Sequence, residues 1–370
     1  MDNLTHTLFA VCLAKAGLEK ATPLATATLI VSSNLPDIDA ISRLRGPVYY
    51  LEYHRGITHS FIGLAVLAAV FTLLLLFIDG RFRTRRDLFR RPVRPLRIFW
   101  LAYLGGLSHV FMDFTNSYGV RPLLPFDGRW LYGDLAFIAD PWIWLILGSG
   151  AVWLTSKHPV TAFTWALVGV GLVLMVAFTF RDQTDSLNPF QPAVSGTVRT
   201  LWFVGFGIVA IGALLKWGRG DPKVAKYALT VLALYYGGMW MAHRSAVTQA
   251  RESLPDPDVV RVSAWPAPAN PLLWYSVAAS NDAIHASEIN LRHSPAQWRE
   301  VPALDRELIP LIRQTREGRV FLDFARYFST TIEEHENGST LDLRDLRLPV
   351  RLRVHLSADR SIESTELRWF

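Results

Sequence analysis

Residues 61–78 run from Phe61 to Ile78 without a charged or histidine side chain. As a helix rising about 1.5 Å per residue, such a run reaches roughly 27 Å, close to the hydrocarbon thickness of a bilayer. A helix that is apolar all round has no polar face to offer water. Similar runs recur near 98–118, 137–156, 159–180, 200–216 and 227–243, whereas 245–370 reads as ordinary soluble sequence. The mean hydropathy of +0.21 averages these unlike parts. The expected fold class is mainly α: a polytopic transmembrane helical bundle with a C-terminal soluble α+β domain. The expected division is 1–244, membrane-embedded, and 245–370, soluble.

Charge sets the expected topology. The stretch 79–97 carries Arg81, Arg83, Arg85, Arg86, Arg90, Arg91, Arg94 and Arg97 against Asp79 and Asp87. Excess arginine in a short loop marks the cytoplasmic side. Threading from there puts the loop 181–198 outside and Lys216, Arg219, Lys223 and Lys226 inside. The C-terminal domain then falls outside, the periplasm of a double-membrane bacterium. External connections still hold Arg43, Arg45, Arg55, Arg121, Arg129, Arg181 and Arg199, so the bias is clear but not absolute. The net charge of +6 resides largely in these short loops, as topology alone requires, and no nucleic-acid partner is expected. The N-terminus lacks signal-peptide form, since Lys15 and Lys20 follow its first apolar stretch. A single cysteine, Cys12, excludes an intrachain disulfide.

Residues 3–16 and 22–35 are apolar but short, which fits a helical hairpin dipping into the bilayer. This hairpin returns Asp37 to the side where His6 begins. Asp37 and Asp39 follow Pro36, and on an extended stretch alternate residues share a face. They supply one site together, or they form a solvated turn. His54 and His59 flank Gly56, where a turn would aim both rings inward, with Thr58 or Ser60 capping the helix that follows. The alternative is an interfacial loop with polar anchors. His109 and Asp113 stand at i,i+4, on one helix face. They form a ligand pair or a satisfied intramembrane polar pair, with Gly105 and Gly106 permitting close helix approach. Arg55 is a candidate phosphate contact or a flanking charge. Asp140 is a helix cap or a ligand, and His243 ends the last apolar segment on the external side.

The donors His6, Asp37, Asp39, His54, His59, His109 and Asp113 thus converge on the external interface. The topology was set by arginines, so the convergence is a partly independent check. Imidazole and carboxylate without thiolate suit Zn²⁺, or Mn²⁺ or Mg²⁺, in two or more positions. Ionisable residues at membrane depth are costly to keep there without a use.

In this order the clusters resemble the YdjM-type family of bacterial inner-membrane proteins. The strings are Asp2-Asn3-Leu4-Thr5-His6-Thr7, Leu35-Pro36-Asp37-Ile38-Asp39, His54-Arg55-Gly56-Ile57-Thr58-His59-Ser60 and Gly106-Leu107-Ser108-His109 through Asp113. The stretch from Trp265 to Trp274 also looks like family sequence. The resemblance implies a metal-dependent hydrolase. The family in turn is distantly similar to zinc-dependent phospholipase C and the P1-type nucleases, which implies a multinuclear metal site and phosphoester cleavage. This chain departs from those soluble enzymes in its apolar helices and in lacking an evident N-terminal tryptophan ligand.

In the C-terminal part, Pro255, Pro257, Pro266, Pro268 and Pro271 mark an expected irregular linker. Segments 272–279, 283–291, 319–328, 339–346 and 350–356 are expected as strands, 301–316 as a helix, and 350–369 as a hairpin. The domain is expected to serve as structural support, the alternatives being that it covers the site or recognises a partner. Together these features point to a membrane-bound metal-dependent hydrolase acting on a lipid or lipid-linked ester, in a multi-pass inner-membrane setting. Asp37 or Asp39 would orient the attacking water or act as base, and Arg55 would contact phosphate. The alternatives are a transporter or ion-handling protein, or a metal-stabilised scaffold; no internal repeat favours transport.

Overall fold

The computed structural model describes residues 1–83, 93–179, 196–218, 220–254, 259, 261–268, 270–280, 283–292 and 296–369. Arg85, Arg86, Arg90, Arg91, Arg181 and Arg219, which carry part of the topology argument, and Pro255 and Pro257 lie outside the described residues.

The chain opens with the expected hairpin, α1 (Asn3–Lys15) and α2 (Ala25–Ser32). Asp2 caps α1 by accepting from Thr5 N at 3.0 Å. The stretch Leu35–Arg45 is a series of 3-10 turns, not the extended strand expected around Asp37 and Asp39. Pro36 explains this, because its fixed φ suits a helical first turn. A short α3 (Pro47–Tyr53) leads through a 3-10 turn, Ile57–His59, into α4 (Phe61–Ile78). Ser60 Oγ caps α4 by accepting from Gly63 N at 3.0 Å, one of the caps expected. The helices α5 (Pro95–Phe114), α6 (Pro141–Thr155), α7 (Pro159–Thr179), α8 (Gly196–Leu214) and α9 (Lys223–Glu252) follow.

Among the described residues, three helices are long and apolar enough to cross a membrane: Phe61–Arg81, Pro159–Phe178 and Gly196–Leu214. Their outward side chains, Val66, Val70, Leu73 and Phe77 on α4 among them, are exposed, as a lipid-facing surface requires. The expected segments 98–118, 137–156 and 227–243 also form helices. However, α6 is only 15 residues long, α5 carries His109 and Asp113, and α9 carries charged residues at both ends, Lys223 and Lys226 at one and Arg244, Arg251 and Glu252 at the other.

The helical core is centred on α1, where Leu8, Val11 and Cys12 pack against Ile143, Leu147 and Ala151 of α6 and Leu232 of α9. Gly150 permits this approach, since a Cβ there would stand 2.9 Å from Ala228 Cβ and 3.0 Å from Cys12 Sγ. On the other side, α2 lies tightly on α5. A Cβ at Gly105 would overlap Ser32 Oγ and come 3.2 Å from the Leu29 carbonyl, so the small residue sets the spacing that the sequence pattern anticipated.

The C-terminal region holds two antiparallel sheets, β1 (Arg261–Ala267) to β4 (Arg299–Val301) and β5 (Phe328–His335) to β8 (Ile362–Trp369), each in sequential order. Between them lie α10 (Leu308–Ile312) and α11 (Arg316–Phe324). The strands β2 (Asn270–Ala279), β3 (Ile284–Asn290), β6 (Gly338–Asp345) and β7 (Val350–Ser357), and the β7–β8 hairpin, fall where expected. Other expectations need correction. Pro266 and Pro271 sit in strands rather than a linker. Pro266 is tolerated because β1 is an edge strand, and Pro271 precedes the first pairing of β2 with β3, Leu273 with Asn290. The stretch 319–328, expected as a strand, is largely α11. Val320, Phe321 and Phe324 recur on one helical face and are buried, and Thr315 caps the helix through Gly318 N at 3.0 Å.

The sheets are docked on the helical part. β1 and β2 lie against the end of α9, where Ala246 and Ala250 meet Ala264 and Trp274. The second sheet shares its core with Leu51 of α3 and with Tyr118.

Candidate metal centre

Four segments converge at the start of α4 and the end of α5. The 3-10 segment supplies Asp37 and Asp39, and the turns between α3 and α4 supply His54 and His59. α5 supplies His109 and Asp113 from adjacent turns, and α1 supplies His6. One ligand atom from each of Asp37, His59, His109 and Asp113 lies within 4.8 Å of every other, and the same holds for Asp37, Asp39 and His54. Asp37 belongs to both groups and could bridge two positions.

The hydrogen bonds at the rim fix the rings. His109 Nδ1 stands 2.7 Å from the Ser33 carbonyl, which can only accept, so Nδ1 carries the proton. His59 Nδ1 stands 3.2 Å from Asp39 Oδ2. A proton there is favoured by the carboxylate, in the pattern by which outer partners set the tautomer of a ligating histidine. Both Nε2 atoms then turn lone pairs inward, only 3.1 Å apart. Asp37 Oδ1 lies 3.5 Å from each of them, and Asp113 Oδ2 lies 3.5 Å from His59 Nε2 and 3.4 Å from His109 Nε2. Acceptors facing acceptors in a buried space call for a cation between them.

Two further observations fit a bound cation. The His6 ring stacks on His109 at a centroid distance of 3.8 Å, its Nε2 is 3.5 Å from Asp113 Oδ1, and both its nitrogens are buried without a hydrogen-bond partner, as is Asp113 Oδ2. Three carboxylates, Asp37, Asp39 and Asp113, meet in the cluster against two groups of opposite charge, the Arg55 guanidinium and the Met1 amino group, both on Asp113, and unbalanced buried charge is expensive. Burial pushes the Asp39 carboxyl up, but the His54 and His59 rings outweigh it and hold Asp39 below the usual carboxylate range. Burial lowers the pKa of His54 against the opposing pull of Asp39, which favours the neutral ring that a metal needs.

Asp39 is held by several partners at once. Its Oδ1 meets His54 Nδ1 at 2.8 Å, and its Oδ2 accepts from Arg55 N at 3.0 Å and from Thr58 Oγ1 at 2.6 Å. Arg55 holds a left-handed backbone, φ 56°, uncommon for a residue with a side chain. That conformation sends its N–H to Asp39 while its guanidinium turns inward. There it donates to Asp113 Oδ1 at 2.8 Å, Gly119 O at 2.9 Å and Asn116 Oδ1 at 3.2 Å, and packs on Tyr118 at 4.3 Å. The Met1 amino group also contacts Asp113.

The remaining sequence candidates lie elsewhere. Asp140 caps α6 by accepting from Trp142 N at 2.9 Å and accepts from Tyr235 Oη at 2.7 Å. His243 rests against Trp274 of β2 and joins neither group. Sequence reasoning missed Ser33, Asn116, Tyr50 and Tyr118. Tyr50 stacks on His54 at 4.6 Å and meets Trp369 of β8 edge-on at 5.5 Å, and Tyr118 lies edge-on to His54 at 5.7 Å. The C-terminal domain therefore reaches the centre through aromatic contacts, for which the sequence carries no local signal.

This chain is 27% identical over 187 residues to "Uncharacterized protein YfhP" of Bacillus subtilis (strain 168), a match covering 47% of this chain and 53% of that protein. The chain thus spans about half the length of the curated relative it matches. No solved structure matches it. The family described as YdjM inner membrane protein matches residues 1–185, which include every donor of the cluster, and the chain belongs to that family.

Proposed function

We propose that this chain is a multi-pass membrane enzyme that hydrolyses a phosphoester of a lipid or lipid-linked substrate, using a divalent metal held by the His/Asp cluster. The observation that carries this reading is the facing pair of Nε2 atoms on His59 and His109, ringed by Asp37 and Asp113. Asp37, His59, His109 and Asp113, with His6 beside them, would hold one ion, and Asp37, Asp39 and His54 a second. Zn²⁺ suits the donor set, with Mn²⁺ and Mg²⁺ as alternatives. A divalent ion there supplies Lewis acidity to a phosphoryl oxygen and acidifies water.

The chain's own residues have separate tasks. Asp39 orients His54 and His59. Arg55, committed to Asp113, Asn116 and Gly119, anchors Asp113 rather than contacting phosphate. Asp37, more open than Asp113, would orient the attacking water. A lipid substrate is favoured because the cluster sits at one end of α4, a helix long and apolar enough to span. The arginines of 79–97 support placing that loop in the cytoplasm, with the cluster and the C-terminal domain on the periplasmic face of the inner membrane.

The test is metal analysis of purified protein beside His59→Ala and Asp113→Ala, followed by a phosphodiester panel in detergent with and without chelator. The reading expects metal in the wild type, little in either variant, and cleavage that chelation abolishes. Equal, negligible metal in all of them would sink the metal centre. Bound metal with no turnover on any ester would sink the hydrolase.

A further inference from the structure

The segment that carries Asp37 and Asp39 also carries an uncovered apolar row. In 3-10 turns, side chains three apart stand in line. Ile38, Ile41 and Leu44 form such a line within Leu35–Arg45 and are 55%, 68% and 85% exposed, while Asp37 and Asp39 lie on the other two rows. The segment packs on Ile57–His59 and on α4, and there Ile57, Phe61 and Ile62 are exposed as well. The row therefore adjoins the end of a helix long and apolar enough to span. At the far end of the segment, Arg43 and Arg45 are exposed, each guanidinium resting on a tyrosine ring, Tyr50 at 4.4 Å and Tyr49 at 5.8 Å.

We propose that Leu35–Arg45 is an interfacial segment seated in the headgroup layer, with Ile41 and Leu44 at the acyl boundary and Arg43 and Arg45 on the phosphates of anionic lipids. Apolar side chains bordered by arginines match the two faces of that layer. Continuity with α4 and the charge of the two arginines identify the occupant as the bilayer. The consequence for the centre is direct: the segment that supplies Asp37 and Asp39 also sets their depth. A headgroup phosphoester would then reach them by lateral diffusion, without leaving the membrane. This inference rests on the membrane placement proposed above and not on hydrolysis.

The experiment uses the full chain, with Cys12→Ser as background, in nanodiscs of phosphatidylcholine with phosphatidylglycerol. Single cysteines labelled with an environment-sensitive dye are placed by Leu44→Cys and Ile41→Cys, with Leu73→Cys on α4 as the bilayer reference and Glu336→Cys in the β5–β6 turn as the water reference. The labels at 41 and 44 should be blue-shifted and quenched by spin-labelled lipid severalfold more than the label at 336. Replacing Arg43 and Arg45 by Glu should abolish any gain that phosphatidylglycerol gives over pure phosphatidylcholine. Labels at 41 and 44 that match the one at 336, while the label at 73 is quenched, overturn the inference and leave the span of α4 standing. An unquenched label at 73 overturns the membrane placement itself. A blue shift without lipid quenching means that protein, such as a second copy, covers the row, and it overturns the proposal too.

Discussion

His59 Nε2 and His109 Nε2 face each other at 3.1 Å, each ring turned by a partner on its far side, Asp39 for one and the Ser33 carbonyl for the other. The pair comes from different segments, fifty residues apart in sequence. It is the point on which the chemical reading of this protein turns.

Asp39→Asn keeps the size of the side chain but removes the charge that favours a proton on His59 Nδ1. At the His59 and His109 position, loss of such an outer partner weakens metal affinity roughly 10–100-fold, whereas at the second position Asp39→Asn alters a ligand. Competition with a chromophoric chelator should show this drop while the helical content stays that of the wild type. Unchanged affinity would remove Asp39 from its orienting role.

Metal should stabilise the fold, because the donors come from segments that only the folded chain brings together. At a free metal concentration about 100 times Kd, the gain is about 2.7 kcal/mol. Thermal unfolding in detergent should therefore shift upward with Zn²⁺ and downward after chelation. His59→Ala should lose most of the difference.

Arg55→Met would leave Asp113 Oδ1 without its guanidinium in a buried setting. Breaking one side of a buried pair costs about 3–5 kcal/mol. Arg55→Lys should recover only part of this, since an ammonium cannot reproduce the contacts to Asp113, Asn116 and Gly119. Denaturant unfolding of both variants measures the order. A stable Arg55→Met protein with impaired substrate binding would instead return Arg55 to the phosphate.

The C-terminal domain is tied down by Arg326, whose guanidinium donates to the largely buried Asp134 at 2.7 Å, and by Arg347, which donates to the Ser117 carbonyl at 3.1 Å. Arg326→Met combined with Arg347→Met should loosen this docking, and limited proteolysis near Ser253 should accelerate. If the aromatic contacts to His54 depend on docking, metal affinity should fall in the same variant.

The local patterns were legible because their physics is local. A charge-free run at 61–78 must avoid water, and α4 is the result. His109 and Asp113 needed only helical periodicity to share a face, and Ser60 and Asp140 needed only their positions to cap. The strand assigned to 319–328 failed because a short apolar run fits either period until its neighbours choose, and here the buried face of Val320, Phe321 and Phe324 chose a helix.

The sequence by itself marked the candidate donors, the apolar helices and the order in which they come. Only the tertiary structure decided that Asp37 joins both donor groups, that Ser33 and Asp39 turn the histidine rings, and that Arg55 points inward to Asp113. These outcomes depend on contacts between segments distant in the chain, set by Gly105 against Ser32 and by Tyr118 against the C-terminal sheet. No periodicity records such contacts, because each is fixed by packing and not by the backbone of either partner.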